Sequence, residues 1–132
     1  MPGPTPPPVP TLSTPLNHAT GVTTAPTLIW NSSTGATSYN LQVSTTANFL
    51  SGLIIDITGI IGTSHPISAL TFNTTYYWHV SASNFVGPSA FSSTSDFKTE
   101  AGPLPPPAPS NTFKGSTAVR EFTNNMVNDY SL

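Results

Sequence analysis

The side chains that could carry acid–base or metal chemistry are five carboxylates and three imidazoles. General acid–base catalysis needs two such groups in one pocket, and a zinc site needs at least three donors at a defined spacing. These residues are scattered along the chain with no spacing that would bring them together, so we predict no catalytic, metal-binding or cofactor-binding residues. They are Asp56, Asp96, Glu100, Glu121 and Asp129, with His18, His65 and His79.

The nucleophilic side chains lead to the same interpretation. The chain has no cysteine, which excludes thiol chemistry and a disulfide framework. Serine is abundant, but none lies in a Gly-x-Ser-x-Gly elbow, and no glycine-rich phosphate-binding loop is present. We therefore predict that the protein is not an enzyme and needs no cofactor.

Charge is scarce: three basic and five acidic residues leave a net charge of -2. This balance offers no electrostatic footprint for nucleic acid, and no apolar run is long enough to span a membrane. We expect neither a nucleic-acid partner nor membrane insertion. A surface of Thr, Ser, Asn and Gly suits a protein that is packed in an assembly, glycosylated or outside the cell. Alternatively, it reflects the Thr-rich composition of β domains in general.

Composition divides the chain into four regions: a proline-rich arm (1–8), a strand-rich domain (9–99), a proline-rich linker (100–109) and a tail (110–132). The proline runs favour extended, stiff geometry. We expect the N-terminal arm and the C-terminal arm (the linker and tail together) to find little to pack on within the domain. Neighbouring subunits would then hold both arms in place.

Alternation with a period of two dominates residues 9–99, which indicates half-buried strands rather than helices. Residues 39–44 and 76–83 carry the clearest alternation, and further strands are predicted at 27–30, 53–57 and 89–98. We predict an all-β sandwich in which His79 faces outward and all three histidines are ordinary surface residues. The predicted core is Trp30, Tyr39, Leu41, Val43, Leu70, Tyr76, Trp78, Val80 and Phe97.

The order of these segments resembles the fibronectin type III family. Residues 70–84 look like its most specific stretch, with a leucine, a turn and then a corner tyrosine at Tyr76. Trp30 matches its core tryptophan, and Phe97-Lys98-Thr99 resembles its closing pattern. The resemblance implies a seven-stranded fibronectin type III or immunoglobulin-like sandwich, with the Tyr76 hydroxyl bonded to nearby backbone. The sequence of residues 38–44, followed by Asn48-Phe49, is most similar to repeats of secreted and surface-exposed bacterial proteins. Similar modules occur in phage structural proteins.

Two aromatic residues of the domain are predicted to be exposed, Tyr77 beside His79 and Phe85 beside Asn84. Exposed aromatic rings can stack on sugars or pack against a protein partner. Asn31 and Asn73 begin Asn-x-Ser/Thr sequons, which are weak signals in a chain so rich in Ser and Thr.

In the tail, apolar residues recur at intervals of three, four and four, which predicts one face of a short helix beginning near Ser116 or Thr117. Such a helix would order by docking onto a partner; the alternatives are a disordered tail or the start of another repeat. The residues are Val119, Phe122, Met126 and Tyr130.

The leading hypothesis is a non-catalytic structural or interaction module of a multi-subunit extracellular or virion assembly, such as a fibre, decoration or tail component. Its partners would be copies of itself or other subunits, joined through the arms or through open sheet edges. Residues 1–5 do not resemble a secretion signal, and we expect an extracellular, cell-surface or virion location. The alternatives are a secreted bacterial adhesin or carbohydrate-binding accessory domain with glycan partners, and a spacer beside an enzyme.

Overall fold

A computed structural model describes residues 3–104, which form eight β-strands and no helix. The predicted tail helix, with Val119, Phe122, Met126 and Tyr130, lies outside the described residues. Within them, no helix could cross a membrane. The strands are β1 (Leu12–Thr14), β2 (Ala19–Val22), β3 (Thr27–Trp30), β4 (Ser38–Ser44), β5 (Leu53–Ile60), β6 (Ser64–Pro66), β7 (Thr75–Ser83) and β8 (Ser95–Thr99).

The strands form two sheets, one of three strands in the order β1-β3-β6 and one of five in the order β2-β8-β7-β4-β5. In the larger sheet, β4 and β7 run antiparallel with Leu41 opposite Val80 and Gln42 opposite His79. Residues opposite each other share a face, so the alternation of each strand buries one row and exposes the next. The predicted all-β sandwich is confirmed.

The strand count exceeds the predicted seven because the first strand is divided at Pro15 between the two sheets. β1 pairs with β3 in the small sheet, whereas β2 pairs in parallel with β8 in the large one. Proline cannot donate a ladder hydrogen bond, so a strand that contains one is readily interrupted there. Sequence alternation alone does not show such a change of sheet.

Twelve buried apolar residues fill the space between the sheets. They include all nine residues that we expected in the core, together with Leu28, Ile67 and Ala82. Trp30 packs on Tyr39 with ring centroids 5.8 Å apart. The indole N–H groups of Trp30 and Trp78 have no hydrogen-bond partner among the described residues, so their contribution to stability is through packing.

Two strands differ from their predicted bounds. β5 continues to Ile60, because Gly59 adopts a left-handed conformation (φ 75°) within a shift of register instead of ending the strand. A second register shift separates Leu53 from Ile55, so the exposed edge of β5 is regular only from Ile55 to Ile57. Bulges of this kind hinder pairing with another strand.

β8 begins at Ser95 rather than near Ser89. In the segment before it, two serines bond to β7 in place of the regular hydrogen bonds of a β-ladder. The Ser92 N–H donates to the Val80 carbonyl (2.8 Å), and the Ser92 hydroxyl accepts the Val80 N–H (3.1 Å). Ser89 makes the same pair of bonds with Ala82, at 2.7 and 2.9 Å. Each serine thus satisfies both backbone groups of one β7 residue, which keeps the irregular segment against the sheet.

The Tyr76 hydroxyl accepts the backbone N–H of Thr71 at 2.9 Å, as the resemblance implied. We predict that Tyr76→Phe lowers the free energy of unfolding by about 1 kcal/mol, because the Thr71 N–H loses its acceptor. Urea denaturation measures this change. Tyr77→Phe on the outer face is the matched control and should alter stability by only a few tenths of a kcal/mol. Equal effects of the two substitutions would contradict the assigned role of Tyr76.

Candidate functional site

On the outer face of the large sheet, His79 lies between two phenylalanine rings. Its imidazole stacks on Phe49 at 3.8 Å and on Phe91 at 3.9 Å, with interplanar angles of 10° and 11°. Phe49 comes from the β4–β5 loop and reaches the imidazole from a left-handed backbone conformation (φ 60°). His79 therefore differs from the ordinary surface histidine that we predicted. Both faces of its ring are covered, so it cannot stack on a ligand.

A polar chain extends from the imidazole across β4 to β5. His79 Nε2 lies 2.8 Å from Gln42 Oε1, and Gln42 Nε2 donates to Asp56 Oδ1 at 3.3 Å. This arrangement assigns the Nε2–H tautomer to the neutral imidazole. Burial lowers the pKa of His79 from 6.5 to about 4, because the charged ring would lose its hydration between the two phenyl groups. His79 is therefore neutral at physiological pH.

This lowered pKa predicts a pH dependence of stability. Between pH 6.5 and pH 4 the unfolded chain binds a proton on His79 that the folded chain does not, so the free energy of unfolding falls as the pH falls through this window. We expect the loss to be on the order of 1 kcal/mol, because solvent screens the partly exposed ring. Urea denaturation of the wild type and of His79→Phe at both pH values isolates the effect. The two proteins should respond differently, and parallel losses would contradict the assignment.

A second histidine, His18, pairs with Asp96 beside the parallel β2–β8 contact. His18 Nδ1 lies 3.0 Å from Asp96 Oδ2, and the backbone N–H of His18 donates to the Asp96 carbonyl at 2.8 Å. The other ring nitrogen lies 3.3 Å from the Asn17 amide nitrogen. The pair joins the loop before β2 to β8.

The tip of the β7–β8 connection is a tight turn with Phe85 and Val86 at its centre. The backbone groups of Asn84 and Gly87 bond to each other in both directions, at 3.1 and 3.2 Å. The Asn84 side-chain oxygen accepts the Val86 N–H at 2.9 Å. Phe85 is 86% exposed and Val86 is 40% exposed. We call residues 84–87 the Asn84 tip; it holds an apolar pair in solvent on an ordered backbone.

The N-terminal arm lies against this end of the sandwich. The Asn84 amide donates to the Thr5 carbonyl at 2.9 Å, and the Ser33 hydroxyl donates to the Pro8 carbonyl. Pro7 and Pro10 are buried. Our expectation that this arm finds little to pack on within the domain is therefore wrong, because turn side chains satisfy the carbonyl groups of the proline-rich segment.

Residues 9–12 form one wall of an uncharged cavity of about 370 Å³, and Ser92, Ser93 and Ser95 form the other. It lies between Leu12 of β1 in the small sheet and Ser95 of β8 in the large one. Pro10 and Leu12 give it an apolar side, and the serines contribute hydroxyl groups. Its volume is within the range of ordinary ligand pockets. No sequence pattern indicates this cavity, because its walls are far apart in the chain.

No protein-family model and no curated protein sequence matches this chain, but solved structures do. The sixth fibronectin type III domain of human fibronectin type III domain containing protein 3 superposes with a TM-score of 0.56 at 23% identity, covering 82% of this chain and 96% of that one. The domain of the human collagen alpha-1(XX) chain gives 0.56 at 19%, covering 80% and 94%. A fibronectin type III-like protein from Clostridium thermocellum gives 0.53 at 23%, covering 76% and 98%.

This chain has the fibronectin type III fold. At these identities the similarity establishes the fold and does not transfer an activity. The fibronectin type III sandwich is widespread among cell-surface domains and commonly serves as a structural or interaction module. Function must therefore be argued from the surfaces of this particular sandwich.

The fold separates the two aromatic residues that we proposed as contacts. Tyr77 lies near the start of β7 and is half-buried, whereas Phe85 lies beyond its end. Eight residues of extended chain place them about 26 Å apart, so they cannot contact one sugar ring. No sequence pattern indicated the contacts of Phe49, Phe91 and the amide of Asn84. The only available signal was the Asn84-x-x-Gly87 spacing, which is typical of a tight turn.

Proposed function

We propose that this fibronectin type III sandwich is a non-catalytic structural module of a multi-subunit extracellular or virion assembly. The observation that carries the proposal is the uncharged surface at the end of the sandwich that bears the Asn84 tip. Residues 3–11, 31–37, 61–63 and 84–94 include no Asp, Glu, Lys or Arg. Exposed apolar side chains occur at the same end, Phe85 at 86% and Ile61 at 81%.

A surface of this kind suits contact with another protein. Interface cores are depleted in charged residues and enriched in aromatic ones. Desolvating neutral Ser, Thr and Asn side chains costs far less than desolvating ions, so this end can be covered without charge partners. Nucleic acid would instead require a basic surface, and Lys98 is the only lysine or arginine among the described residues.

Of the two arms, the C-terminal segment is the better anchor. The N-terminal arm is already bonded to its own sandwich through Asn84 and Ser33. Strand addition at β5 is limited by its two register shifts. We therefore assign the anchoring role to residues 110–132, where the predicted apolar stripe would dock onto a neighbouring subunit.

Light scattering of the full chain and of a chain that lacks residues 110–132 tests this function. We expect the full chain to form multi-subunit particles and the shortened chain to be smaller while it keeps its thermal transition. Removal of residues 1–8 should in addition lower the melting temperature, because the arm is part of the folded unit. A full chain that remains monomeric at every concentration would refute the proposal.

The glycan-binding alternative gains no support at Phe85. Sugar sites surround a stacking ring with free polar groups, but the Asn84 oxygen and one amide hydrogen already bond within the domain. A glycan array with the wild type and Phe85→Ala distinguishes the alternatives, because the assembly function predicts no signal from either protein.

A further inference from the structure

The Asn84 tip has three properties of an anchor that inserts into a partner. Its backbone is closed in both directions by Asn84 and Gly87, and the Asn84 side chain fixes the Val86 N–H. Phe85 is almost fully exposed, so it contributes little to its own fold. Because the backbone is already fixed, binding has to restrict only the two side-chain torsions of Phe85, and aromatic residues of this kind dominate interface energies.

The free energy gained by burying the tip indicates which kind of partner it fits. Burying one phenylalanine and part of a valine contributes about 2–4 kcal/mol. That is too little to hold a protein on a membrane, since even one myristoyl chain binds only marginally. It equals the contribution of a typical hot spot in a protein interface. The surrounding end carries no charge, which favours an uncharged protein pocket as the site for the tip.

The chain itself offers a pocket of this kind. The cavity between residues 9–12 and Ser92, Ser93 and Ser95 has a volume of about 370 Å³ and no charged lining residue. A cavity of roughly 150 Å³ accommodates a benzene ring, so there is room for the Phe85 ring and for Val86 beside it. Phe85 of the same chain does not occupy the cavity, because 86% of its surface is exposed.

We propose that the Asn84 tip of one copy inserts Phe85 into the cavity beside β1 of a second copy. The inference rests on the proposed assembly function and names the partner as another copy of this chain. Tip and cavity are different surfaces, so two copies can join either reciprocally, as a closed two-fold dimer, or head to tail, as a chain or ring. The multi-subunit assembly proposed above corresponds to the head-to-tail form.

Sedimentation velocity of the full chain over a range of concentrations tests the contact. Phe85→Ala should weaken self-association at least ~10-fold. Leu50→Ala is the matched control: Leu50 is 87% exposed but lies in the β4–β5 loop, at the opposite end of the sheet. It should associate as the wild type does. Ser93→Trp fills the cavity and should weaken association as Phe85→Ala does, with Ser93→Phe as a smaller replacement if the first variant does not fold.

Mixing the two variants distinguishes the tip-to-cavity contact from other contacts. Phe85→Ala keeps a cavity and Ser93→Trp keeps a tip, so an equimolar mixture should associate more strongly than either variant alone. If the wild type assembles and Phe85→Ala assembles equally well, the tip-to-cavity contact is overturned while the assembly function stands. If folded variants gain nothing on mixing, the contact is also overturned. A wild-type chain that is monomeric throughout would refute the assembly function itself.

Discussion

Replacement of Trp30 by alanine is expected to lower the free energy of unfolding by about 3–5 kcal/mol. Trp30 is only 1% exposed, and it joins β3 of the small sheet to Tyr39 of the large one. Removing the indole leaves a cavity between the two sheets, and the hydrogen-bonded strands cannot move together far enough to close it. Because small domains have only about 5–15 kcal/mol of stability, this loss is a large part of the total, and the variant should unfold at a much lower urea concentration. Urea denaturation followed by circular dichroism measures the change.

Trp30→Phe is the matched control for this substitution. The indole N–H has no hydrogen-bond partner among the described residues, so phenylalanine removes volume but no described polar contact. We expect this variant to lose about 1–2 kcal/mol, clearly less than the alanine variant. An alanine variant with an unchanged denaturation midpoint would show that Trp30 does not join the two sheets as described.

Gly52→Ala is expected to lower the free energy of unfolding by about 2–3 kcal/mol, for two separable reasons. Gly52 has a φ of 70°, where a side chain costs about 1–2 kcal/mol. In addition, an added Cβ would overlap the hydroxyl oxygen of Thr45. Thermal and urea denaturation measure the loss.

Two further variants separate backbone strain from the steric clash at Gly52. Gly59→Ala has a similar φ of 75° but no atom within 4 Å of the new Cβ, so it should show the strain alone. Adding Thr45→Ala to Gly52→Ala removes the hydroxyl oxygen and should restore about 1 kcal/mol. Equal losses in Gly52→Ala and Gly59→Ala would rule out the clash as a contribution.

Residues with strict alternation gave the most reliable predictions. Leu41 and Val43 on β4, and Trp78 and Val80 on β7, are fully buried, because a period of two places them on one face of a sheet. A bond of the Tyr76 hydroxyl to nearby backbone was also implied by the family resemblance, and its partner is the Thr71 N–H. Local pattern was sufficient for these features because each lies on a regular strand or in a turn next to one.

The features that sequence analysis missed depend on chain-distant contacts. Phe49 reaches His79 from a left-handed backbone conformation, which no alternation indicates. Asn84 binds the carbonyl of Thr5, 79 residues earlier in the chain. The division of the first strand at Pro15 requires a partner from each sheet. The assembly role and the tail helix stay predictions that the described residues do not test.

The parallel pairing of β2 with β8 determines how this sandwich responds to tension. β1 and β2 lead into the domain, β8 leads out of it, and β8 runs in the same direction as β2. A pull on residues 19 and 99 therefore slides the two strands along each other. The bonds from His18 to Asp96 and from Glu100 to Val22, at 2.8 and 2.7 Å, would have to break together rather than one after another. The module should consequently resist stretching along its strands more strongly than peeling across them.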